Sequence, residues 1–289
     1  MKSDPSFIIT DFYEIVNLML DCVYNCERTG ELKKARTIYE LLLSLPDTFM
    51  RITKKLFSLP SSVANLKRHI SVAELLEKNG LAIPLAMVKS ISNSTEEVRK
   101  ILIKLTRMAS HRVPVLDEEE WKGLLSDILE THKILFQCVT YEDCYEIVLQ
   151  SLLCSGKLEN ITFAGTMMEC NNKQRRHDIG PQSFKLPYTK SVALVLAASQ
   201  EYFNSSSDAS DPCMSLAKSC LKIIEDVPAS IEEEFDLISS ISLLKEFGVT
   251  VLPLQVRLYE NRMSIVKEAL QKKERNYKKS HKVFSLQNL

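Results

Sequence analysis

The chain has 289 residues, of which 45% are hydrophobic and 26% are charged, so it is long enough to bury a sizeable core. Its 7 glycines and 10 prolines are too few for a Pro/Gly-rich disordered chain, and they disfavour a turn-rich sandwich or barrel. Because 37 basic residues balance 37 acidic ones, no net charge attracts the whole molecule to nucleic acid or to anionic lipid.

The N-terminal segment is not typical of a secretion signal. In MKSDPSFIITDFYEIVNLML, Asp11 and Glu14 interrupt the apolar run, and no small-residue cleavage site follows. The longest apolar stretch elsewhere, SVALVLAAS at 191–199, is far shorter than the ~20 residues that a membrane-spanning helix needs. We therefore expect no transmembrane segment.

Helical periodicity dominates the chain from end to end. In the segment 118–136, Trp121, Leu124 and Ile128 recur at three- and four-residue steps, which places them on one helix face, and Asp117 is the candidate N-cap. The pattern predicts fourteen helices, near 7–27, 31–44, 47–57, 61–79, 84–91, 95–110, 118–137, 141–155, 158–170, 188–203, 212–225, 230–247, 256–269 and 272–287.

Two later helices carry start and stop signals. Thr140 and Asp143 form a carboxylate variant of the capping box before the eighth predicted helix, and Gly156 follows its end. Asp211 and Pro212 occupy the N-cap and the first helical position of the eleventh. These signals predict where the two helices begin.

The links between the predicted helices indicate how they are arranged. Most are short, as between antiparallel neighbours, whereas 171–187 and 204–210 are longer and are predicted to be flexible loops. No repeat of a known period is present, but so many short helices bury their apolar faces best as successive stacked hairpins. We expect an all-α fold, an irregular α-solenoid without a sheet. It would span 1–289 as a single segment, part of a larger helical domain.

The stretch 249–254, VTVLPL, is the one part of the chain that resembles a β-strand. No second strand-like segment exists to pair with it, and a lone strand leaves its backbone groups without partners. Gly248 ends the helix before it, Pro253 forces Leu252 out of the α region, and the helical pattern resumes at Val256. The stretch is predicted to be a buried elbow between two helices.

The 8 cysteines are spread thinly among apolar neighbours. Cys22 and Cys26 are one helical turn apart and could place two thiols of a metal site, but no second pair of ligands lies near them in sequence. Buried free thiols in a reducing cytosol are the favoured interpretation, with no metal and no cofactor. A thiol enzyme based on Cys138 or Cys170 is an alternative that the sequence leaves open.

No motif of an enzyme is recognisable in the chain. The 5 histidines have no helpful spacing, and the sequence contains no G-x-S-x-G, no H-E-x-x-H and no glycine-rich phosphate loop. We therefore expect a protein that is not an enzyme and that has no catalytic residues.

The strongest concentration of charge is the basic segment 267–282, KEALQKKERNYKKSHK. It could form a strip that binds the phosphates of lipid or RNA, although most such runs are solvated helix faces. The candidate basic surface consists of Lys272, Lys273, Arg275, Lys278 and Lys279.

Three segments carry a resemblance to a known family. CYEIVLQSLLCSGKLENITFAGTMMEC (144–170), LVLAASQEYFNSSSD (194–208) and LKEFGVTVLPLQVRL (244–258) resemble the neuroblastoma-amplified sequence family of animals. The matching region is the helical domain that this family shares in outline with the yeast secretory-pathway subunit numbered thirty-nine. The resemblance is clearest from 118 to 273, and the much greater length of family members indicates that this chain is a fragment or short isoform.

The resemblance implies a scaffold subunit of a vesicle-tethering complex in Golgi-to-ER retrograde transport. Its implied partners are the zeste-white-ten protein, the Rad-fifty-interacting protein and an ER SNARE. Its implied location is the cytoplasm, peripherally associated with the endoplasmic reticulum membrane through those partners. A link to nonsense-mediated mRNA decay is also implied. The alternative function is therefore an adaptor for RNA or for mRNA-decay factors, which would use the basic C-terminal helix.

Overall fold

The structure is a computed structural model that describes residues 5–44, 59–172 and 184–259, together with positions 264, 265, 267 and 271. Within these residues lie twelve helices: α1 (Pro5–Tyr24), α2 (Leu32–Leu43), α3 (Leu59–Lys78), α4 (Leu85–Ile91), α5 (Thr95–Ser110), α6 (Glu118–Ile134), α7 (Tyr141–Leu153), α8 (Leu158–Thr166), α9 (Tyr188–Ser205), α10 (Pro212–Leu221), α11 (Ala229–Glu246) and α12 (Pro253–Leu258).

The predicted all-α class is confirmed for the described residues. They contain no strand, and extended backbone pairs only at an isolated parallel bridge between Met168 and Leu186. The helices predicted at 47–57 and 272–287 lie outside the described residues. None of the described helices is both long and apolar enough to cross a membrane.

Contacts divide the chain into two compact units, Met1–Ile147 and Val148–Leu289. In the first unit, α3 packs against α2, α4 and α6, and α1 packs against α2 and α4. In the second unit, α9 packs against α10, α11 and α12, and α10 also contacts α8 and α11. The continuous solenoid over the whole chain stays a prediction.

Each unit has its own apolar core. In the first, Leu66, Leu102 and Trp121 are almost completely shielded from solvent. In the second, Phe203 and Phe247 are shielded to the same degree. Burying one such side chain contributes about 1.5–3 kcal/mol, so the apolar stripes predicted from the periodicity are what hold the helices together.

The predicted helix starts at Asp117 and Thr140 are confirmed. Asp117 Oδ1 accepts from the Glu120 N–H at 2.8 Å, and Glu120 Oε2 accepts from the Asp117 N–H at 3.0 Å, which is a complete capping box. At α7, Thr140 Oγ1 accepts from the Asp143 N–H at 3.0 Å, and Asp143 Oδ2 accepts from the Thr140 N–H at 2.9 Å. The start at Asp211 is confirmed as well, since its Oδ1 accepts from the Cys213 N–H at 2.9 Å.

The predicted end of the ninth helix at residue 170 is wrong, because α8 ends at Thr166. Beyond this point the backbone turns to pair with another part of the second unit. The Leu186 N–H donates to the Met167 carbonyl at 2.9 Å, and the Glu169 N–H donates to the Leu186 carbonyl at 3.0 Å. Backbone hydrogen bonds to a distant segment therefore replace those that would have continued the helix.

The stretch 249–254 is a joint between two helices, as predicted, but it differs in two details. Gly248 adopts φ +80°, and the Val249 N–H donates back to the Leu244 carbonyl at 2.9 Å, which closes the end of α11. α12 begins at Pro253 rather than at residue 256, since proline suits the first helical position. Only part of the elbow is buried, because Leu252 is 49% exposed.

Candidate interaction surfaces

The outward side of α1 carries an apolar stripe. Ile15 is 54% exposed and Leu18 is 64% exposed, and Cys22 is exposed as well. At 100° per residue these three side chains fall within a 60° arc, whereas Val16 and Leu20 point into the core. We call Ile15, Leu18 and Cys22 the α1 stripe.

The α1 stripe leads to a cavity of about 350 Å³ in the first unit. Its apolar wall is formed by Val23, Ala35, Ile38, Ile83 and Leu85. Arg28 and Lys34 also line it, and Lys34 Nζ lies 2.8 Å from Glu31 Oε2. A half-open apolar cavity at the end of an exposed apolar helix face is typical of a groove that receives side chains of a partner helix.

A histidine fixes the C-terminal end of α1 against α3. Tyr24 Oη and His69 Nδ1 are 2.7 Å apart, and Lys89 Nζ lies 4.4 Å from the centre of the Tyr24 ring. Burial, with further contributions from the cations of Lys89 and Arg68, lowers the pKa of His69 to about 4. Burial also raises the pKa of Tyr24 to about 12. Both groups are therefore neutral at physiological pH and act structurally.

A buried ion pair fixes α12 in the second unit. Both terminal nitrogens of Arg257 donate to the carboxylate of Glu234 on α11, and Nε donates to Asn204 Oδ1 at 2.9 Å. The guanidinium lies 4.7 Å from the centre of the Phe203 ring. The side chain of Glu234 is only 7% exposed, so Arg257 neutralises a carboxylate that burial would otherwise penalise.

The outward side of the same short helix is apolar. Leu252 is 49% exposed, Leu254 41%, Leu258 72% and Tyr259 49%. At 100° per residue Leu254, Gln255 and Leu258 occupy one arc of 100°, while Pro253, Val256 and Arg257 occupy the opposite, inward arc. Leu252 and Tyr259 flank the helix with extended backbone. We call this set of five side chains the outer face of α12.

The loop at 206–211 lies beside the elbow in the same unit, next to a cavity of about 240 Å³. Asp211 Oδ2 accepts from the Ser207 N–H at 2.9 Å, and Asp208 Oδ1 accepts from the Ser210 N–H at 2.6 Å and from Lys245 Nζ at 3.0 Å. These bonds, above all the one from the Ser210 backbone, lower the pKa of Asp208. The charges at this cavity therefore pair with each other rather than face an empty site.

A second groove in this unit lies between α8 and α10, with a volume of about 420 Å³. Leu158, 52% exposed, stands at its edge, and Gly165 allows close approach to Ile223, whose Cγ2 would be 3.4 Å from a Cβ at that position. The groove is open and mostly apolar. Its shape suits a partner side chain, and its lining also includes Cys170 and Lys222.

The structure gives no support to the idea that Cys138 or Cys170 acts as a nucleophile. Burial raises the pKa of Cys170 above its usual value, so this thiol stays protonated at neutral pH, and a protonated thiol is a poor nucleophile. Cys138 Sγ lies 3.4 Å from the Ser92 carbonyl, a weak structural contact. Among the described residues, no cluster of three or more His, Cys, Asp or Glu side chains could hold a metal ion, and Cys22 and Cys26 gain no further ligand there.

The predicted basic surface lies outside the described residues. Lys272, Lys273, Arg275, Lys278 and Lys279 all belong to that part of the chain. Of the basic segment 267–282, the structure describes Lys267 and Gln271, both of them exposed. The sequence did not reveal the outer face of α12 or the α1 stripe, because leucines on an exposed face and in a core follow the same helical period.

Similarity to known proteins shows which family the chain belongs to. The family model for the secretory pathway protein Sec39 matches residues 25–289. The chain is a member of the Sec39 family. The match confirms the resemblance seen in the sequence and extends it toward the N-terminus, well before residue 118.

Two curated proteins illustrate the range of similarity of this Sec39 family member. The NBAS subunit of NRZ tethering complex from Homo sapiens is 41% identical over 288 residues, which cover 98% of the chain and 12% of the human protein. MAG2-interacting protein 2 from Arabidopsis thaliana is 23% identical over 261 residues, which cover 90% of the chain and 10% of the plant protein.

The chain thus spans about a tenth of the length of these two relatives. No solved structure matches it. The similarity covers both compact units, so both the α1 stripe and the outer face of α12 lie in the region shared with the human protein.

Proposed function

We propose that the chain is a non-enzymatic scaffold segment of a vesicle-tethering complex that acts in Golgi-to-ER retrograde transport. The main support for this proposal is the 41% identity to the NBAS subunit of NRZ tethering complex across 98% of the chain. On this proposal its partners are the zeste-white-ten protein, the Rad-fifty-interacting protein and an ER SNARE. Through them it associates peripherally with the cytoplasmic side of the endoplasmic reticulum membrane.

The mechanism proposed is helix-in-groove docking. An amphipathic partner helix would lay its apolar side on the α1 stripe and place a side chain in the adjoining cavity of about 350 Å³. Support comes from the exposure of Ile15 and Leu18, since apolar side chains that cluster on an exposed helix face are typical of interaction sites. Lys34 at the cavity already pairs with Glu31, so apolar contact rather than charge would hold the partner helix.

Co-purification tests the proposal. The tagged chain is incubated with a detergent-solubilised whole-cell extract, which contains membrane proteins, and the bound fraction is probed for the two tether subunits and for ER SNAREs. We expect all three to be recovered with the unaltered chain. We expect the double variant Ile15→Ser with Leu18→Ser to recover about tenfold less, a loss that corresponds to about 1.4 kcal/mol of binding free energy.

The matched control changes two exposed leucines on the second unit, Leu254→Ser with Leu258→Ser. This variant removes a similar amount of apolar surface and should recover the partners as well as the unaltered chain does. If the unaltered chain recovers none of the named proteins, the scaffold function is wrong. If both variants recover equal amounts, the α1 stripe is not the docking site.

A further inference from the structure

The α1 stripe has an acidic edge, formed by Glu14 and Asp21. Both residues are exposed, and neither forms an ion pair with a described residue. At 100° per residue they fall about 40° and 60° beyond Leu18, on the side of the stripe away from Ile15. Because they are seven residues apart, they lie about 10 Å from each other along the helix axis.

No positive charge on α1 balances the acidic edge. The sequence of this helix contains three acidic residues and no Lys, Arg or His. Arg28 and Lys34 line the cavity at the other end of the surface, where Lys34 pairs with Glu31. Two exposed carboxylates beside an exposed apolar stripe therefore attract cations of a partner and repel its anions.

We propose that the α1 stripe selects a partner helix with a basic edge. Such a helix places apolar side chains, spaced three and four residues apart, on Ile15 and Leu18. Beside them it carries two Lys or Arg residues seven positions apart, which meet Glu14 and Asp21. This partner is the helix of the proposed function, on which the inference rests.

The two parts of this surface have different tasks. Apolar contact at the stripe and in the cavity supplies most of the affinity, whereas opposite charges at the edge determine which helix binds. The acidic edge lies on one side of the stripe only. The basic edge of a partner helix therefore meets it in one of the two possible directions of the helix, and repulsion disfavours helices with acidic edges.

Other occupants of the α1 stripe fit its charge less well. The acidic edge repels the phosphates of nucleic acid and of an anionic bilayer, and α1 has no cation to attract them. A second copy of α1 packed antiparallel about a twofold axis would bring two acidic edges together. A basic edge on a different chain pairs both carboxylates.

Binding of the purified full chain to recombinant partners tests the inference. The probes are the zeste-white-ten protein, the Rad-fifty-interacting protein and the cytoplasmic part of the ER SNARE, each immobilised for bio-layer interferometry. We expect Glu14→Lys with Asp21→Lys to weaken binding to at least one probe about tenfold or more. The neutral variant Glu14→Gln with Asp21→Asn should weaken it less, by about threefold.

Salt dependence separates an effect of charge from an effect on folding. The affinity of the unaltered chain should fall between about 0.1 M and 1 M salt, since screening weakens the attraction between exposed charges, while that of the neutral variant stays nearly constant. The matched control, Glu225→Lys with Glu233→Lys, reverses two exposed acids on the second unit and should bind as the unaltered chain does. Circular dichroism checks that every variant is folded.

Two results would overturn the inference alone. The first is a charge-reversed chain that binds as tightly as the unaltered one, or more tightly. The second is an equal loss in the matched control, which would mean that only total charge matters. In either case, weaker binding by Ile15→Ser with Leu18→Ser would leave the proposed docking intact. If the unaltered chain binds none of the three probes, the proposed function fails and the inference fails with it.

Discussion

His69 shows how a single buried side chain can make the stability of a scaffold depend on pH. It is 7% exposed, its Nδ1 lies 2.7 Å from Tyr24 Oη, and Lys89 and Arg68 are the cations that act on it. Burial and these two charges hold its pKa at about 4, below the ordinary value of about 6.5. Between these two values the unfolded chain binds a proton that the folded chain does not.

The stabilising effect of a neutral His69 is therefore fully present above pH 6.5 and is lost as the pH falls through 4. We expect the free energy of unfolding to fall over this window by about 1–3 kcal/mol more than in a His69→Gln variant, which has no proton to bind. Urea denaturation at a series of pH values measures the difference. Parallel pH profiles for the two proteins would show that the ring is not held neutral.

At the scale of an element, α12 depends on one ion pair because it is short. It spans six residues, Pro253–Leu258, and an isolated helix of that length is not stable in water. Arg257 supplies the missing stabilisation through its contacts with Glu234, Asn204 and the Phe203 ring. The elbow before it is therefore held in position by a tertiary contact rather than by local propensity.

Removing one partner of this ion pair should lower the free energy of unfolding more than removing both partners does. We expect Arg257→Met to lower the free energy of unfolding by about 3–5 kcal/mol, since it leaves the Glu234 carboxylate buried without a cation. The double variant Arg257→Met with Glu234→Met should recover most of that loss. Denaturant unfolding of the single and double variants measures this. Additive losses would mean that the two side chains do not act as a pair.

Some boundaries of the helices can be predicted from the sequence and others cannot. Helix starts were predictable at Asp117, Thr140 and Asp211, because the capping side chain and its target N–H lie within three residues of each other. The end of α8 was not, since it depends on Leu186, twenty residues further along the chain. Local signals are visible in a sequence, whereas a pairing between distant segments is not.

At the scale of the whole molecule, the fold class and the family were predictable, and the interaction surfaces were not. The absence of enzyme motifs and the helical period both indicated a scaffold, but neither separates an outward leucine from an inward one. Leu258 is 72% exposed and Leu244 is fully buried, although both lie in stretches of the same composition. Only the packed structure assigns them to surface and core.

On the proposed function, tether subunits cover the α1 stripe when they bind this Sec39-family chain. Its exposed thiol at Cys22 provides a native reporter, and the half-buried Cys213 in the second unit provides the internal control. The most direct measurement is the rate of maleimide labelling at each cysteine, read by mass spectrometry, with and without recombinant tether subunits. We predict that bound partners slow the labelling of Cys22 about tenfold or more and leave that of Cys213 unchanged. Equal labelling of Cys22 in the free chain and in the assembled complex would show that the partners do not cover the α1 stripe.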